Sequence, residues 1–375
     1  MNTKFTLSLF VLITILASGF QLGIRIPSIS HDQNSVVSVK LSFVGDIMCH
    51  TPQIEYAKVG IDSFDFRNVF KEIKEYLSKA DITFGNLETV IAGKTKKYSG
   101  YPLFNTPDEL LDALKYAGFD ILFTSNNHSL DRGNDGVIRT IQEIRKRNLI
   151  NVGTYISKEE RDSLLVIDLK GIKLGILSYT YGLNGNYLQK SKNFMVNLID
   201  TSLIKNDVAR IMEKKADLIL VYFHFGDEYS RTPSKFQNEV VDKTFKYGAD
   251  VVIGSHPHVI QQMKFTDKIN GKLGQGFIAY SVGNFISNQR WRYSDAGVIL
   301  NLEIKKNIDK DSLWINEISA IPTWVFKGHT GIQNEFVIFP SDTTLIKSFP
   351  EYFSKTDKEK LLESYNDTME ILFKK

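Results

Sequence analysis

Hydrophobic and polar positions follow one repeated order along most of the chain. An amphipathic helix ends at an Ala-Asp or Gly-x-Asp step, a short apolar run rich in β-branched residues follows, and a polar loop closes the unit. The predicted strands of this pattern lie at residues 82–84, 121–124, 218–223 and 251–253. Short apolar runs that alternate with helices are typical of an α/β fold whose strands are buried on both faces.

Helices are predicted before these strands, at residues 70–79, 107–116, around 208–212 and at 236–245. Gly118 and Gly248 follow two of them, where a helix end favours a left-handed residue. Residues 165–178 resemble a hairpin with Lys170 and Gly171 in its turn. Further apolar runs at 276–282 and 296–304 predict strands of a second sheet.

The first residues have a different composition. After Lys4, an uncharged and mostly apolar stretch runs from Phe5 to Ile24, which predicts an export signal. The stretch is also about long enough to span a bilayer as a helix, so cleavage near Ala17-Ser18-Gly19 and retention as an anchor are both compatible with it. The predicted division is a signal peptide or membrane anchor at 1–27, a polar linker at 28–39, the main domain at 40–340 and a C-terminal helical segment at 341–375.

Charge and cysteine content narrow the classes of partner and site. The 46 basic and 43 acidic residues are well mixed and give a net charge of +3. Nucleic acid is not expected as a partner, because binding to phosphate backbones needs clustered basic residues. The single cysteine, Cys49, excludes an internal disulfide framework and a thiolate zinc cluster. Any metal ligands must therefore be oxygen atoms and imidazole nitrogens.

Polar side chains suited to metal binding follow the predicted strands. They are Asp46, Glu88, Asn127, His224, His256 and His258, with Asn86 and His128 beside them. Ligands in open α/β sheets gather at the carboxyl ends of strands, so we expect these residues to converge. Imidazole, carboxylate and amide ligands suit Mn, Fe or Zn, and two such ions would lower the pKa of a bridging water.

The motifs at these strand ends resemble the CapA family, the poly-γ-glutamate capsule biosynthesis proteins related to calcineurin-like metallophosphatases. The matching motifs, within about residues 41–287, are Gly45-Asp46-Ile-Met48, Gly85-Asn86-Leu-Glu88, Asn126-Asn127-His128-Ser-Leu-Asp131-Arg-Gly133, His224-Phe-Gly226-Asp-Glu228-Tyr229, Gly254-Ser-His256-Pro-His258-Val and Tyr280-Ser-Val-Gly283-Asn284-Phe285. The resemblance implies a four-layer αββα metallophosphatase-like sandwich, two divalent ions, and work outside the cytoplasm on an anionic polymer such as poly-γ-glutamate. Membrane-bound polymer synthase subunits are further candidate partners.

The resemblance also implies roles for single residues. Asp46 is the first acidic ligand, Glu88 the bridging acid beside Asn86, Asn127 a ligand and His128 the general acid. His224 and His256 are implied as ligands of one metal, and His258 of the other. Met48 stands where the phosphatases have a ligand histidine. Since a thioether is a poor ligand for a hard metal, this departure predicts a weak second metal position.

Other residues of the motifs have less defined expectations. Arg231, Lys235, Arg290 and Arg292 follow the site motifs, where they either hold an anionic chain by charge-assisted hydrogen bonds or form ordinary surface charge. Glu228 and Tyr229 belong to the motif, with packing as the alternative role of Tyr229. Trp291 either stacks on substrate or caps the core. Asn284 is expected to hydrogen-bond loop backbone in a tight turn beneath the site.

Two functions from different classes remain open. One is a metal-dependent hydrolase that acts on a phosphoester or on amide bonds of an anionic polymer. The other is a non-catalytic, membrane-anchored assembly or export subunit that binds the polymer. The Asn127-His128 pair favours the hydrolase, since a general acid has no use in a binding module, whereas Met48 and the N-terminal stretch favour the assembly subunit. A pure adhesion domain leaves the polar strand ends unexplained.

Overall fold

The computed structural model describes residues 23–25, 35–267, 272–346 and 348–372. The strands are β1 (Gly23–Arg25), β2 (Val36–Ile47), β3 (Ile82–Leu87), β4 (Ile121–Phe123), β5 (Ile150–Val152), β6 (Leu165–Leu169), β7 (Ile172–Thr180), β8 (Leu218–His224), β9 (Val251–Ser255), β10 (Met263–Asp267), β11 (Gln275–Ala279), β12 (Asn284–Ile286), β13 (Ala296–Asn307), β14 (Ser312–His329) and β15 (Asn334–Pro340). The helices are α1 (Thr51–Tyr56), α2 (Lys74–Leu77), α3 (Glu109–Ala117), α4 (Gly133–Lys146), α5 (Lys158–Ser163), α6 (Thr201–Glu213), α7 (Lys235–Tyr247) and α8 (Lys355–Leu372). Short 3₁₀ turns lie at Arg67–Phe70, Lys94–Lys96 and Lys190–Met195.

The strands form two mixed sheets: parallel strands β2 to β5 form one end of the first sheet, and β11, β9, β8 and β7 are parallel in the middle of the second. The nine-stranded sheet has the order β1-β14-β13-β2-β3-β4-β5, with β12 beside β2 and β15 beside β14. The six-stranded sheet has the order β10-β11-β9-β8-β7-β6. In the first sheet Asp46 is level with Asn86, and in the second His224 is level with Ser255. Parallel pairing therefore brings the polar strand ends of each sheet together.

The two sheets pack face to face, with helices over their outer faces. A run of stacked rings leads from the first sheet into the second, with centroid separations of 5.7 Å for Phe84 and Phe123 and 3.9 Å for Phe123 and Tyr222. One apolar cluster joins the first sheet to α3, and another joins the second sheet to α6 and α7. This helix–sheet–sheet–helix order matches the four layers that the resemblance implies.

Several local predictions are confirmed. The four predicted strands correspond to β3, β4, β8 and β9. Lys170 and Gly171 turn the hairpin between β6 and β7 with φ of 54° and 88°. Gly118 and Gly248 end α3 and α7 in the left-handed region, with φ of 102° and 116°.

Two local predictions are wrong. Residues 276–282 and 296–304 do not share a sheet, because β11 pairs with β9 while β13 pairs with β2. Which strands pair depends on the course of the crossover connections. The apolar runs alone do not determine that course. Residues 70–79 form no continuous helix but only a 3₁₀ turn and the short α2. Phe70, Ile73 and Leu77 are fully buried in the observed turns. A continuous helix would place them on one face, so their spacing does not distinguish the two geometries.

The predicted N-terminal segments lie largely outside the described residues. Of the stretch from Phe5 to Ile24, the structure describes only Gly23 and Ile24, in a short edge strand on β14. The predicted linker at 28–39 ends too late, since β2 begins at Val36 and pairs with β13. In the described part of the chain, no helix has the length and apolar character needed to cross a bilayer.

The C-terminal helix is part of the main domain rather than a separate segment. Within the segment predicted as helical at 341–375, the structure has the helix α8 at Lys355–Leu372. However, Leu361 packs in a buried cluster with Trp324, and Ser364 Oγ donates a hydrogen bond of 3.2 Å to the Thr323 carbonyl of β14. The helix therefore contributes to the core that supports the nine-stranded sheet.

Candidate metal centre

Asp46 is positioned by a close contact between its own backbone segment and the segment that contains Gly283. Its amide donates a 3.0 Å hydrogen bond to the Gly283 carbonyl, which is level with the end of β2. A Cβ atom at Gly45 would lie 1.8 Å from that oxygen, so any side chain at this position would separate the two segments. Glycine is needed here because the backbones touch. The result is a fully buried Asp46 carboxylate at the junction of the sheets.

A chain of amide side chains holds the end of β3 in place. Asn86 Nδ2 donates to Asp46 Oδ1 at 2.8 Å, and Asn126 Nδ2 donates to the Leu87 carbonyl at 2.8 Å. Asn126 also contacts Asn86 Oδ1 at 3.3 Å. These bonds fix the strand end that carries Glu88. Asn126 and Ser255, another contact of Asn86, were missed as supporting residues, although both lie within the motifs.

Glu88 is the least satisfied polar group of the site. Both of its carboxylate oxygens are buried and have no hydrogen-bond partner among the described residues. Oε1 lies 3.5 Å from His224 Nε2 and 3.9 Å from His258 Nε2. A buried carboxylate without partners costs several kcal/mol or more. A cation between Glu88 and these imidazoles would satisfy the carboxylate, so the donor set fits a metal.

His224 is oriented by contacts on both ring nitrogens. Nδ1 faces Asn86 Nδ2 at 3.2 Å and Ser255 Oγ at 3.3 Å. Nε2 lies 2.9 Å from Asn127 Oδ1. Two ligand atoms bound to one ion at about 2.0–2.2 Å lie roughly 3 Å apart. In this structure the two atoms form a hydrogen bond, and their separation would also allow both to bind one ion.

His256 and His258 both adopt left-handed backbone conformations, with φ of 99° and 58°. Such conformations cost about 1–3 kcal/mol per residue and are concentrated at functional sites. His258 Nδ1 lies between Asp46 Oδ2 at 3.0 Å and Asn284 Oδ1 at 3.1 Å. This contact is typical of a metal-ligating histidine whose second nitrogen is held by an oxygen. His256 Nδ1 is buried and has no partner among the described residues.

These side chains form two ligand groups that share Glu88. One contains Asp46, Glu88 and His224, and the other contains Glu88, His256 and His258, with the ligand atoms of each group within 4.8 Å of one another. Glu88 thus lies where a bridging acid is expected. The distances group His256 with His258, whereas the resemblance implied that His256 and His224 share a metal.

Burial and mutual charge determine the protonation states of the site. Burial raises the pKa of Asp46, but the hydrogen bond and charge of His258 outweigh it, so the net pKa lies below its usual value. Burial, and then the charge of Asp46, raise the pKa of Glu88 well above its usual value. Burial, and then neighbouring histidines, lower the pKa of His224 strongly and that of His256 to about 3. The two imidazoles are therefore neutral at pH 7, as metal binding requires.

His128 lies beside the ligand groups and has a partner of its own. Its Nδ1 is 2.8 Å from Asp131 Oδ2, which also accepts the Phe104 amide at 2.7 Å. The Phe104 ring packs edge-on against the imidazole at 4.6 Å, and Asn184 Nδ2 lies 3.4 Å from Nε2. Asp131 was missed as a functional residue, although its spacing of three residues from His128 was a visible signal.

The predicted anion-holding side chains have protein partners in the structure. Arg231 donates to the Asp367 carbonyl, and Arg292 forms a 2.8 Å ion pair with the Asp367 carboxylate. Arg290 donates to the Val325 carbonyl. Lys235 is exposed, 3.7 Å from Glu239 on the same helix. The arginines thus attach the site loops to α8 and β14.

One prediction for Asn284 of β12 and one for Trp291 in the loop after it have clear outcomes. Asn284 Nδ2 donates to the Ser294 carbonyl at 2.8 Å, which confirms its expected bond to loop backbone. Trp291 is 51% exposed, so it does not cap the core. Its ring instead meets that of Tyr229 at 5.2 Å.

Met48 and Cys49, which follow Asp46 closely in the sequence, are not suited to bind a metal ion. Met48 is 2% exposed and lines a small cavity with Gln53, Val69 and Ile286. Burial raises the pKa of the Cys49 thiol to about 12, which leaves it protonated and a poor ligand.

Comparison with known proteins identifies relatives of this site. The family model "Bacterial capsule synthesis protein PGA_cap" matches residues 40–289, which include both ligand groups. The chain is 26% identical over 309 residues to the capsule biosynthesis protein CapA of Bacillus anthracis, covering 80% of this chain and 72% of that protein. It is 28% identical over 286 residues to the PGA biosynthesis protein CapA of Bacillus subtilis, covering 75% and 71%.

Among solved structures, a calcineurin-like phosphoesterase from Bacillus subtilis is similar, with 14% identity, a TM-score of 0.45, and coverage of 89% of this chain and 99% of that chain. The family match extends over most of the chain and includes every strand end that carries a candidate ligand. The chain therefore belongs to the PGA_cap family of bacterial capsule synthesis proteins.

Proposed function

We propose that this protein is a metal-dependent hydrolase that acts outside the cytoplasm in capsule biosynthesis. The observation that carries the proposal is Glu88, a buried carboxylate that has no hydrogen-bond partner among the described residues and is shared by two ligand groups. A scaffold has no need for such a residue, because an unpartnered buried acid reduces stability. Two bound metal ions would partner the carboxylate and so remove this destabilisation.

Each ligand group supplies donors for one ion. Asp46, Glu88, His224 and Asn127 would hold the first ion, and Glu88, His256 and His258 the second. Carboxylate, amide oxygen and neutral imidazole suit Mn, Fe or Zn. When bound, such ions lower the pKa of a coordinated water and withdraw charge from a phosphoryl or carbonyl oxygen.

The proton for the leaving group would come from His128. Asp131 accepts from Nδ1, which orients the ring and leaves Nε2 for the substrate. The Phe104 ring packs edge-on against the imidazole, which is almost fully buried. The proposed substrate is a phosphoester, or an amide bond of an anionic polymer such as poly-γ-glutamate. The names of the CapA relatives, which refer to capsule and PGA biosynthesis, support a polymer of this kind.

Metal content and turnover test this proposal together. Protein purified without chelator is expected to contain close to two equivalents of Mn, Fe or Zn per chain by elemental analysis. It is also expected to hydrolyse at least one member of a phosphoester and γ-glutamyl amide panel in Mn or Zn. Protein that lacks metal and does not take it up on addition would exclude the hydrolase.

Export is the second part of the proposal. The apolar stretch from Phe5 to Ile24 motivates it, and the capsule relatives support it. A reporter enzyme that is active only outside the cytoplasm, fused after Lys375, is expected to be active. Deletion of Phe5–Ile24 should abolish that activity and leave a cytoplasmic reporter active. A full-length fusion that works only in the cytoplasmic format would refute the export proposal.

A non-catalytic assembly subunit is the second candidate. It would bind the anionic polymer beside membrane-bound synthase subunits without turnover. The observation that favours it is Met48, which is buried at a small cavity that Gln53 and Val69 also line and offers only a thioether two residues after Asp46. Metal would then have a structural role, and loss of His128 would have no effect on capsule formation.

A further inference from the structure

Lys327 is a partly buried cation that forms no ion pair with the described residues. It lies on β14, level with Phe336 of β15. Its ammonium lies 5.3 Å from the centre of the Phe336 ring and 5.9 Å from that of the Tyr56 ring, and it donates a 2.8 Å hydrogen bond to Asn288 Oδ1. Glu335, the residue before Phe336, has other partners. Ring faces and an amide oxygen do not neutralise the ammonium, so it can attract an anionic ligand.

Asn288 connects this lysine to the imidazole of His50. The Asn288 amide donates a 3.3 Å hydrogen bond to His50 Nδ1. Gln53 Oε1 lies 3.2 Å from the same nitrogen, but it already accepts from the His50 amide at 2.8 Å. Burial lowers the pKa of His50 to about 4, so the ring is neutral at pH 7. With Nδ1 as an acceptor, the ring proton lies on Nε2, which has no hydrogen-bond partner in the described part of the chain.

His50 borders the proposed metal centre. Its ring packs edge-on against the Phe104 ring at 5.3 Å, and Phe104 packs in the same way against His128 at 4.6 Å. His258 and His128 are also close enough to act on His50 through their charge. A single phenylalanine ring therefore separates His50 from the proposed general acid. A ligand that passes over this ring would have one group at His50 and another at His128.

The charge of Lys327 and His50 together suits a carboxylate. The ammonium carries one positive charge, and the imidazole adds a neutral N–H donor. A carboxylate has one negative charge and two oxygens, so each donor can bind one oxygen. A phosphate dianion would keep one negative charge without a partner. The two donors are held on either side of Asn288, which fixes their relative positions.

We infer that Lys327, Asn288 and His50 form a carboxylate subsite, which holds one unit of the substrate chain beside the bond that lies at the metal centre. The inference rests on the proposed function and names the residues that select an anionic chain. Lys327 would donate to one carboxylate oxygen and His50 Nε2 to the other. Lys327 lies outside residues 40–289, the range of the family match, so this cation comes from the C-terminal part of the chain.

Binding of a γ-glutamyl tetrapeptide to the full chain tests the subsite. His128→Ala is present in every sample, so that turnover does not consume the peptide. Lys327→Gln keeps a donor for Asn288 but removes the charge, so calorimetry at low salt should show an affinity about threefold to tenfold lower. The loss should shrink at high salt, because ions screen the attraction. His50→Phe keeps a ring against Phe104 but has no N–H donor, so it should also weaken the peptide.

A second lysine and a neutral peptide serve as controls. Lys305 is a partly buried lysine of β13 that likewise forms no ion pair within the described ranges. It is level with Ser38, at the end of β2 opposite to Asp46. Lys305→Gln should therefore leave the affinity unchanged. The same tetrapeptide with its α-carboxyl groups amidated should bind the parent and Lys327→Gln equally.

Four results would overturn the inference: no tetrapeptide binding by the parent, unchanged affinity in Lys327→Gln, an equal loss in Lys305→Gln, or an equal loss for the amidated peptide. These outcomes are separable from failure of the hydrolase proposal. The expected binding pattern in a protein that hydrolyses nothing when His128 is intact would contradict only the proposed function. Peptide hydrolysis with the same KM in wild type and Lys327→Gln would contradict only the carboxylate subsite.

Discussion

Replacing Glu88 by glutamine is expected to remove metal from both ligand groups while making the metal-free protein more stable. The carboxylate is shared by the two groups, so its loss affects both ions. Removing an outer-shell partner of a metal ligand typically lowers affinity by about 10–100-fold. Loss of a shared ligand should exceed that range, and turnover should fall with the metal content.

The stability of the metal-free protein should change in the opposite direction because Glu88 has a raised pKa in the fold. A carboxyl group with a raised folded pKa stabilises the fold below its ordinary pKa, near 4.5, and this contribution is lost as pH rises toward the folded pKa. The contribution of Glu88 to the stability of chelator-treated protein should therefore fall as pH increases above about 4.5. It is measured as the difference between wild type and Glu88→Gln, because His224 and His256, whose pKa values are lowered, give the opposite dependence below about 6.5. Glutamine has nearly the same shape and no charge, so the variant should lack the contribution of Glu88 and gain roughly 1–3 kcal/mol at neutral pH.

Denaturant unfolding with and without added metal measures both effects. Wild-type protein should be stabilised strongly by Mn or Zn, and Glu88→Gln should not. Glu239→Gln removes the same charge from an exposed position on α7, so it should match wild type in metal content and in pH dependence. A Glu88→Gln protein that keeps both metals would show that Glu88 is not their bridge.

The convergence of the polar strand ends could be predicted because sheet geometry produces it. Once the apolar runs before Asp46, Glu88 and His224 are taken as parallel strands, their carboxyl ends must meet at one edge of each sheet. Which ion each histidine serves could not be predicted in the same way. That assignment depends on loop conformations such as the positive φ of His256 and His258. The periodicity of hydrophobic positions does not predict such backbone angles.

Contacts across long stretches of sequence were the least predictable part. The bonds of Arg231 and Arg292 to Asp367 join a site loop to a helix near the chain's end. Both arginines follow ligand motifs, and the sequence alone left substrate binding and ordinary surface charge equally open for them. The distribution of β11 and β13 between two sheets has the same origin, because backbone pairing is decided by the whole topology. Local patterns predict elements, and they do not predict the partners of those elements.

His128→Ala is expected to abolish most of the turnover while metal content stays at the wild-type level. The imidazole belongs to neither ligand group and is held by Asp131. Proton donation to a leaving group typically contributes about 10²–10⁴-fold in rate, so kcat should fall within that range. His256→Ala should do the reverse: it removes a ligand, so metal content falls first and activity falls because of it. His329→Ala, on an exposed hairpin, is the matched histidine control and should affect neither quantity.

His128→Ala, tested in cells, also distinguishes the hydrolase from the non-catalytic assembly subunit. If the protein is a hydrolase, His128→Ala produced at wild-type levels should fail to restore capsule to a strain that lacks the protein. An assembly subunit needs only its fold and binding surfaces, both of which survive the loss of one imidazole at the edge of the site. Asp131→Asn should fall between the two, because it leaves His128 present but removes the carboxylate that orients its ring. Full capsule formation by His128→Ala would refute the hydrolase and leave the polymer-binding subunit as the function of this fold.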